Sequence, residues 1–136
     1  ITAFARLTPE ACQKLGLKPR PESRAGIKHE IYCRIVKKQL EDQGWTCKFE
    51  GQTGNDPHKM DVLAIKDGQR HDYEITVHLK NIQDNINNAL GHKLADKVII
   101  VADDKEIEKC RTRTADEQKR YGDALEFQPI SEFYIK

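Results

Sequence analysis

The chain has 136 residues, of which 38% are hydrophobic and 33% charged, as in one ordinary globular domain. Its 23 basic and 22 acidic side chains leave a net charge of +1, so bulk charge does not indicate a nucleic-acid partner. No stretch approaches the run of about 18 apolar residues that spans a membrane, and no signal-peptide pattern opens the chain. The four cysteines form no C-x-x-C pair. We therefore expect a cytoplasmic protein with reduced thiols and no membrane partner.

The first 25 residues predict a strand and a short helix followed by a linker. In "ITAFARLTPEACQKLGL", Thr8 has the position of a helix N-cap and Pro9 that of the first helical residue. "KPRPESRAG" then holds two prolines and a glycine among charged residues, which is typical of a linker. We therefore divide the chain into residues 1–25 and a main domain of residues 26–136. Because Ile1 opens the chain inside the strand-like run, we expect a piece of a longer protein.

The main domain begins with the clearest helix. Between residues 27 and 43 apolar side chains recur every three or four positions, and Gly44 ends the pattern. The β-prone run "WTCKFE" follows, and turn-forming residues fill "GQTGNDPH". Two more β-rich runs, "KMDVLAI" and "RHDYEITV", flank Asp67-Gly68, a strong signal for a two-residue hairpin turn. These patterns predict a helix and three successive strands, the last two forming a hairpin.

The second half of the domain alternates helices and strands. Apolar residues recur at helical spacing from Leu79 to Leu90, and Gly91 ends that helix. "KVIIVA" is an unbroken β-branched run of the kind that is buried on both faces in a parallel pairing. A polar helix is predicted over residues 105–121 and an edge strand at "ALEF", while "ISEFYIK" carries no clear signal. The order of elements indicates the α/β class.

The hairpin predicts that two acids meet. If Asp67 and Gly68 form the loop, Lys66 opposes Gln69, and the same register places Asp61 opposite Glu74 with Cβ atoms about 4.5 to 5.5 Å apart. The alternate positions of both strands carry an apolar set that fixes this register by burial. The acids therefore lie on the other face of the hairpin.

Two carboxylates placed directly opposite each other destabilise a sheet, so the pair requires a reason. A divalent cation such as Mg²⁺, which takes one or two carboxylates and keeps several waters, would neutralise both. In the alternative interpretation one acid is solvated or paired with a nearby lysine or arginine. A three-residue loop would shift the register and separate the two acids.

The pattern resembles the PD-(D/E)XK nuclease superfamily. Asp61 in "KMDVLAI" matches the first acid of that family, Glu74 in "YEITV" the glutamate of the Glu-X-Lys element, and Glu30 in "GIKHEIY" an additional acid on a helix. The resemblance covers roughly residues 26–102. It implies a restriction-endonuclease-like α-β-β-β-α-β core, with a central mixed sheet flanked by helices. It also implies a divalent-metal-dependent DNA endonuclease, a hydrolase, with Mg²⁺ or Mn²⁺ held by Asp61, Glu74 and Glu30.

One position departs from the family. Thr76 stands where the Glu-X-Lys element has its lysine, and threonine cannot supply a cation that stabilises charge developing on the phosphate. The predicted register places Lys59 opposite Thr76, so Lys59 is the first candidate for the missing amine. Lys28 and Lys80 are weaker candidates. Gln83, at the start of the next helix, is a further polar residue expected to reach the site.

The N-terminal segment has a resemblance of its own. "ARLTPEACQKLGL" resembles the end of a winged-helix domain, which in mobile-element proteins for plasmid transfer and replication can precede a nuclease-like domain. The alternative is a helical extension that packs on the main domain.

The five histidines of the chain lack the paired spacing of a helix-borne zinc site.

The sequence therefore leaves three functional interpretations open, with DNA as the expected partner of the first. The first is a metal-dependent nuclease domain of a larger DNA-processing or mobile-element protein. The second is a catalytically degenerate nuclease fold that acts as a DNA-binding or protein-interaction module, which Thr76 favours. A third, smaller possibility is activity supplied only by the full-length protein or by an oligomer such as a homodimer. Two basic clusters are candidates for phosphate contacts: Lys18, Arg20, Arg24 and Lys28, and Arg111, Arg113, Lys119 and Arg120.

Overall fold

A computed structural model describes residues 26–49 and 61–134, which form a five-stranded sheet flanked by helices. The predicted N-terminal segment and linker, together with Lys59, lie outside the described residues. In chain order the elements are α1 (Gly26–Asp42), β1 (Thr46–Phe49), β2 (Val62–Lys66), β3 (Gln69–Ile75), α2 (Ile82–Gly91), β4 (Lys97–Ala102), α3 (Ile107–Arg113), α4 (Ala115–Tyr121) and β5 (Leu125–Pro129), with 3-10 turns at Gly122–Ala124 and Ile130–Phe133.

The sheet is mixed, and its strands lie in chain order. β1 and β3 are both antiparallel to β2, whereas β4 is parallel to its neighbours β3 and β5. A parallel neighbour requires a crossover, and α2 supplies the one between β3 and β4. The α/β class with a central mixed sheet flanked by helices is thus confirmed, as is the parallel pairing predicted for "KVIIVA".

The hairpin has the predicted register. Lys66 pairs with Gln69 and Val62 with Tyr73, so the loop is the two residues Asp67 and Gly68. Both have positive φ, 53° and 80°, as the type I′ turn requires. This turn therefore determines which residues of β2 and β3 face each other.

Each face of the sheet carries its own apolar core. α1 and the 3-10 turn Ile130–Phe133 cover one face, where Val62, Ala64, Tyr73 and Ile75 of the hairpin are buried. The other face is covered by α2 and α3, which pack on the alternate residues of β4, Val98, Ile100 and Ala102. Since β3 lies next to β4, the α2 face of β3 is also removed from solvent.

The helix ends differ in detail from the predictions. The predicted helix over residues 105–121 is two helices separated at Thr114, whose buried hydroxyl donates to the Cys110 carbonyl oxygen. α2 begins at Ile82 and not at Leu79, and the Leu79 carbonyl accepts a hydrogen bond from the Ile82 N–H. The tail that carried no clear signal forms the turn whose Ile130 and Phe133 complete the core under α1.

Within residues 26–49 and 61–134, no helix has the length and apolar character needed to cross a membrane. Cys47 and Cys110 are free thiols.

Candidate functional site

The predicted acid pair lies where β2 begins and β3 ends. The Ile75 N–H donates to Asp61 Oδ2 at 2.8 Å, and the Asp61 N–H lies 3.4 Å from Glu74 Oε2. The hairpin register, continued by one residue past Val62 and Tyr73, places the two acids opposite each other. The structure therefore brings Asp61 and Glu74 together, with backbone N–H groups helping to hold both carboxyl groups.

A third acid, Asp72, belongs to the same cluster and was not predicted. Asp72 and Glu74 are only 1% and 4% exposed, and they neighbour Val98 and Ile100 of the apolar core under α2. The two carboxyl groups are close enough to form a hydrogen bond when one of them is protonated. The signal was present in the sequence, because residues two positions apart in a strand share a face.

Burial dominates the ionisation of this pair. It raises the pKa of Glu74 well above the usual range, and the nearby charges of Asp72 and Asp61 raise it further. Burial likewise raises the pKa of Asp72 to about 7, although the hydrogen bond with Glu74 acts in the opposite direction. Because the two acids interact directly, they titrate as a pair, and the pKa of each lies above that of a solvated carboxyl group.

Helix α1 contacts the other side of Asp61. Nε2 of His29 lies 3.2 Å from Asp61 Oδ1, and Cys33, one turn later, places its Sγ 3.8 Å from both ring nitrogens of His29. Both carboxylate oxygens of Asp61 thus have a nitrogen within reach, Nε2 of the His29 imidazole for one and the Ile75 backbone N–H for the other. From the sequence, His29 was considered only as one of five candidate zinc ligands, although it directly precedes the predicted site residue Glu30.

A second carboxylate anchors α1 to the end of β4. Lys28 Nζ forms a salt bridge with Asp103, the residue after β4, and the Tyr32 hydroxyl donates to Asp103 Oδ1 at 2.5 Å. Burial acts to raise the pKa of Asp103, but the hydrogen bonds from Lys28 and Tyr32 outweigh it and keep the pKa below the usual range. Lys28 is therefore engaged by Asp103.

The remaining predicted site residues are placed as follows. Glu30 is partly buried in the second turn of α1, directly after His29. Gln83 is partly buried in the first turn of α2, and Thr76 follows β3 with its N–H donating to the Val101 carbonyl. Lys80 is exposed. Lys59, the first candidate for the missing amine, lies outside the described residues, so its pairing with Thr76 stays a prediction.

The donor set of the cluster fits a divalent cation that prefers oxygen ligands. Carboxylates are the ligands of Mg²⁺ and Mn²⁺, and Asp72 Oδ1 is a buried oxygen without a hydrogen-bond partner. The cluster is not a ready-made cage, however: among residues 26–49 and 61–134 no group of three or more histidine, cysteine, aspartate or glutamate side chains is placed to hold a metal. Water and substrate oxygens would have to supply the other ligands.

Several basic residues of the predicted phosphate clusters have partners within the domain. Arg111 pairs with Glu108 and stacks on the Phe127 ring, and Arg120 donates to Asn87 Oδ1. These contacts link α3 to β5 and α4 to α2, which gives both arginines a structural role.

No protein-family model matches the chain, and a search of curated proteins found no similar sequence.

Proposed function

We propose that the domain is a nuclease-like domain of the PD-(D/E)XK type that hydrolyses phosphodiester bonds of DNA with the help of Mg²⁺ or Mn²⁺. The observation that carries this proposal is the hairpin register, which sets Asp61 opposite Glu74 at one end of the sheet. Like-charged residues at directly opposed positions destabilise a sheet, and a cation that binds both would offset that cost.

The order of elements supports the same proposal. Helix α1, the strands β1, β2 and β3, helix α2 and strand β4 follow one another as the α-β-β-β-α-β core of that superfamily does. The acids also lie near the carboxyl ends of the parallel strands β3 and β4, where open α/β sheets bind their ligands. The acids thus lie at the end of the sheet where such folds bind ligands, with Glu74 itself buried.

The residues of the site would have distinct roles. Asp61 and Glu74 would hold the cation, with Glu30 assisting from α1 and Gln83 from α2. When bound, the cation supplies a deprotonated water as nucleophile and stabilises the leaving oxygen. His29 and the Ile75 N–H would keep the Asp61 carboxylate in place for that role. Lys59 would supply the amine that Thr76 lacks.

The test is cleavage of supercoiled and linear DNA by the purified domain in the presence of Mg²⁺ or Mn²⁺. We expect Asp61→Asn and Glu74→Gln each to lower the cleavage rate by about 100-fold or more, since each removes an anionic ligand. Asp84→Asn, an exposed acid in the first turn of α2, is the matched control and should cut like wild type. Cleavage that survives both site substitutions would exclude this mechanism.

A second candidate function is a catalytically degenerate nuclease fold that binds DNA or another protein. Two observations favour it: Thr76 replaces the lysine of the Glu-X-Lys element, and Lys28 is engaged by Asp103. Titration of DNA into the domain, with and without Mn²⁺, separates the candidates. Metal-independent DNA binding without cleavage would support the binding module and contradict the nuclease.

We further propose that the domain works within a larger DNA-processing or mobile-element protein, in which residues 1–25 end a winged-helix domain. Limited proteolysis of the natural full-length protein tests this arrangement. Cleavage between residues 18 and 26 that releases an intact fragment starting there would support two domains, whereas protection of this segment would favour a helical extension packed on the core.

A further inference from the structure

Asp72 is the least explained side chain of the described residues. It is 1% exposed, and its Oδ1 has no hydrogen-bond partner. Leaving a buried polar atom without a partner destabilises the fold, and more so when the atom is charged. The position itself does not require an acid, because its neighbours in the sheet are Leu63 and Val98. Packing alone therefore gives no reason for a carboxyl group there.

The geometry of the cluster gives Asp72 a role different from that of Asp61. Glu74 lies between them, two residues from Asp72 on the same strand and opposite Asp61 on the neighbouring one. Both oxygens of Asp61 have a nitrogen within reach. Asp72 Oδ1 is buried and has no hydrogen-bond partner, and Asp72 lies on the same face of β3 as Glu74. Asp72 thus offers the cluster a buried oxygen that is still available to a ligand.

We propose that Asp72 is a ligand, through Oδ1, of the divalent cation that Glu74 binds. The inference rests on the proposed function in that it concerns the same cation. Buried carboxylates are stabilised when they are paired with a cation or bind a metal, and a single ion between Asp72 and Glu74 would satisfy both. A cation bound at this position would thus give the unpartnered oxygen a ligand and lower the electrostatic cost of two adjacent acids.

The test compares Mn²⁺ binding by calorimetry for wild type, Asp72→Asn and Glu117→Gln. The asparagine has nearly the same size as aspartate but lacks the anionic oxygen, and we expect it to weaken Mn²⁺ binding at least tenfold. Glu117 is the matched control, since it is also a buried acid with an unpartnered oxygen, Oε1, but it lies on α4 beside Asn87. Glu117→Gln should keep the wild-type affinity within twofold.

A measurement on wild type does not depend on how the variants fold. Mn²⁺ broadens NMR signals of nearby nuclei, so sub-stoichiometric Mn²⁺ should broaden the amide signals of residues 72–74 most strongly. Asp72→Glu, which restores an anionic oxygen, should recover part of the lost affinity. Equal affinities of wild type and Asp72→Asn, or broadening centred away from β3, would overturn the inference.

Failure of this inference and failure of the proposed function give different results. If Asp61→Asn abolishes Mn²⁺ binding and DNA cleavage while Asp72→Asn leaves both unchanged, the inference about Asp72 is wrong and the nuclease proposal stands. If Asp72→Asn weakens Mn²⁺ binding but wild type cuts no DNA, the cation site is supported and the nuclease proposal is wrong. A wild type that binds no Mn²⁺ would overturn both.

Discussion

Replacing Asp72 by asparagine should make the domain more stable at alkaline pH. Burial raises the pKa of Asp72 from its ordinary 3.8 to about 7. A carboxyl group with a raised pKa binds its proton more tightly in the folded than in the unfolded state. The free energy of unfolding therefore falls as pH rises from about 4 to about 7, and then levels off. Asparagine cannot ionise, so the variant should lack most of this fall.

The size of the effect follows from that pKa. Each pKa unit corresponds to about 1.4 kcal/mol, so a rise from 3.8 to about 7 makes ionisation of Asp72 in the folded state cost about 4 kcal/mol. This is an upper limit, because Asp72 and Glu74 titrate as a pair and share the cost. Integrated between pH 5 and pH 8, the loss is about 2 to 3 kcal/mol. The asparagine amide can still donate to Glu74, so the packing of the site is retained.

The assay is urea unfolding of wild type and Asp72→Asn at pH 5 and pH 8 without divalent metal, followed by circular dichroism. The stability of the variant relative to wild type should increase by about 2 to 3 kcal/mol from the lower to the higher pH. Asp84→Asn, which changes an exposed acid, should show no such increase. If Asp72→Asn changes stability by the same amount at both pH values, Asp72 does not ionise as described.

Four further predictions concern the site and its supports. As pH rises toward the pKa of the acid pair, Mn²⁺ affinity should increase by up to tenfold per pH unit, because the ion must displace the proton held by Glu74. Calorimetry at pH 6, 7 and 8 measures this increase. Thr76→Lys, which restores the Glu-X-Lys element, should raise the DNA cleavage rate at least tenfold at unchanged stability. Tyr32→Phe should cost about 1 to 3 kcal/mol in urea unfolding, since the buried hydroxyl donates to Asp103. Gly68→Ala should cost about 1 to 2 kcal/mol, because alanine is strained at a φ of 80°.

Each of these predictions has an outcome that contradicts it. A Mn²⁺ affinity independent of pH would mean that Glu74 binds no metal or carries no proton. A folded Thr76→Lys variant no faster than wild type would show that another group already supplies the amine or that the domain does not cut. If Tyr32→Phe is as stable as wild type, the hydrogen bond between Tyr32 and Asp103 contributes no net stability. Gly68→Ala without cost would be incompatible with the turn geometry.

Local signals were sufficient to predict the hairpin and its consequences. Asp67-Gly68 specifies the turn, the turn specifies the register, and the register places Asp61 opposite Glu74. The β-branched run of β4 likewise predicted a buried parallel strand. These features depend on residues close together in the chain or on a single periodicity, and such signals are visible in one sequence.

Contacts between distant segments could not be predicted in the same way. Lys28 and Asp103 are 75 positions apart, and neither the helix pattern nor the strand pattern brings them together. The break of the predicted long helix at Thr114 depends on burial of that threonine between other elements. Asp72 stayed unnoticed because strand alternation assigns it to the polar face, and only the position of α2 and β4 shows that this face is buried.

The two faces of β3 differ in a way that packing does not require. Under α1 the strand contributes Tyr73 and Ile75 to an apolar core, whereas under α2 it contributes Asp72 and Glu74 beside apolar neighbours. Apolar or amide side chains at the two acidic positions would satisfy the fold at lower cost. A ligand that binds only the folded state raises the free energy of unfolding and so offsets this loss of stability. We therefore expect Asp72→Asn both to remove most of the loss of domain stability at high pH and to weaken Mn²⁺ binding, because both effects depend on the same buried charge.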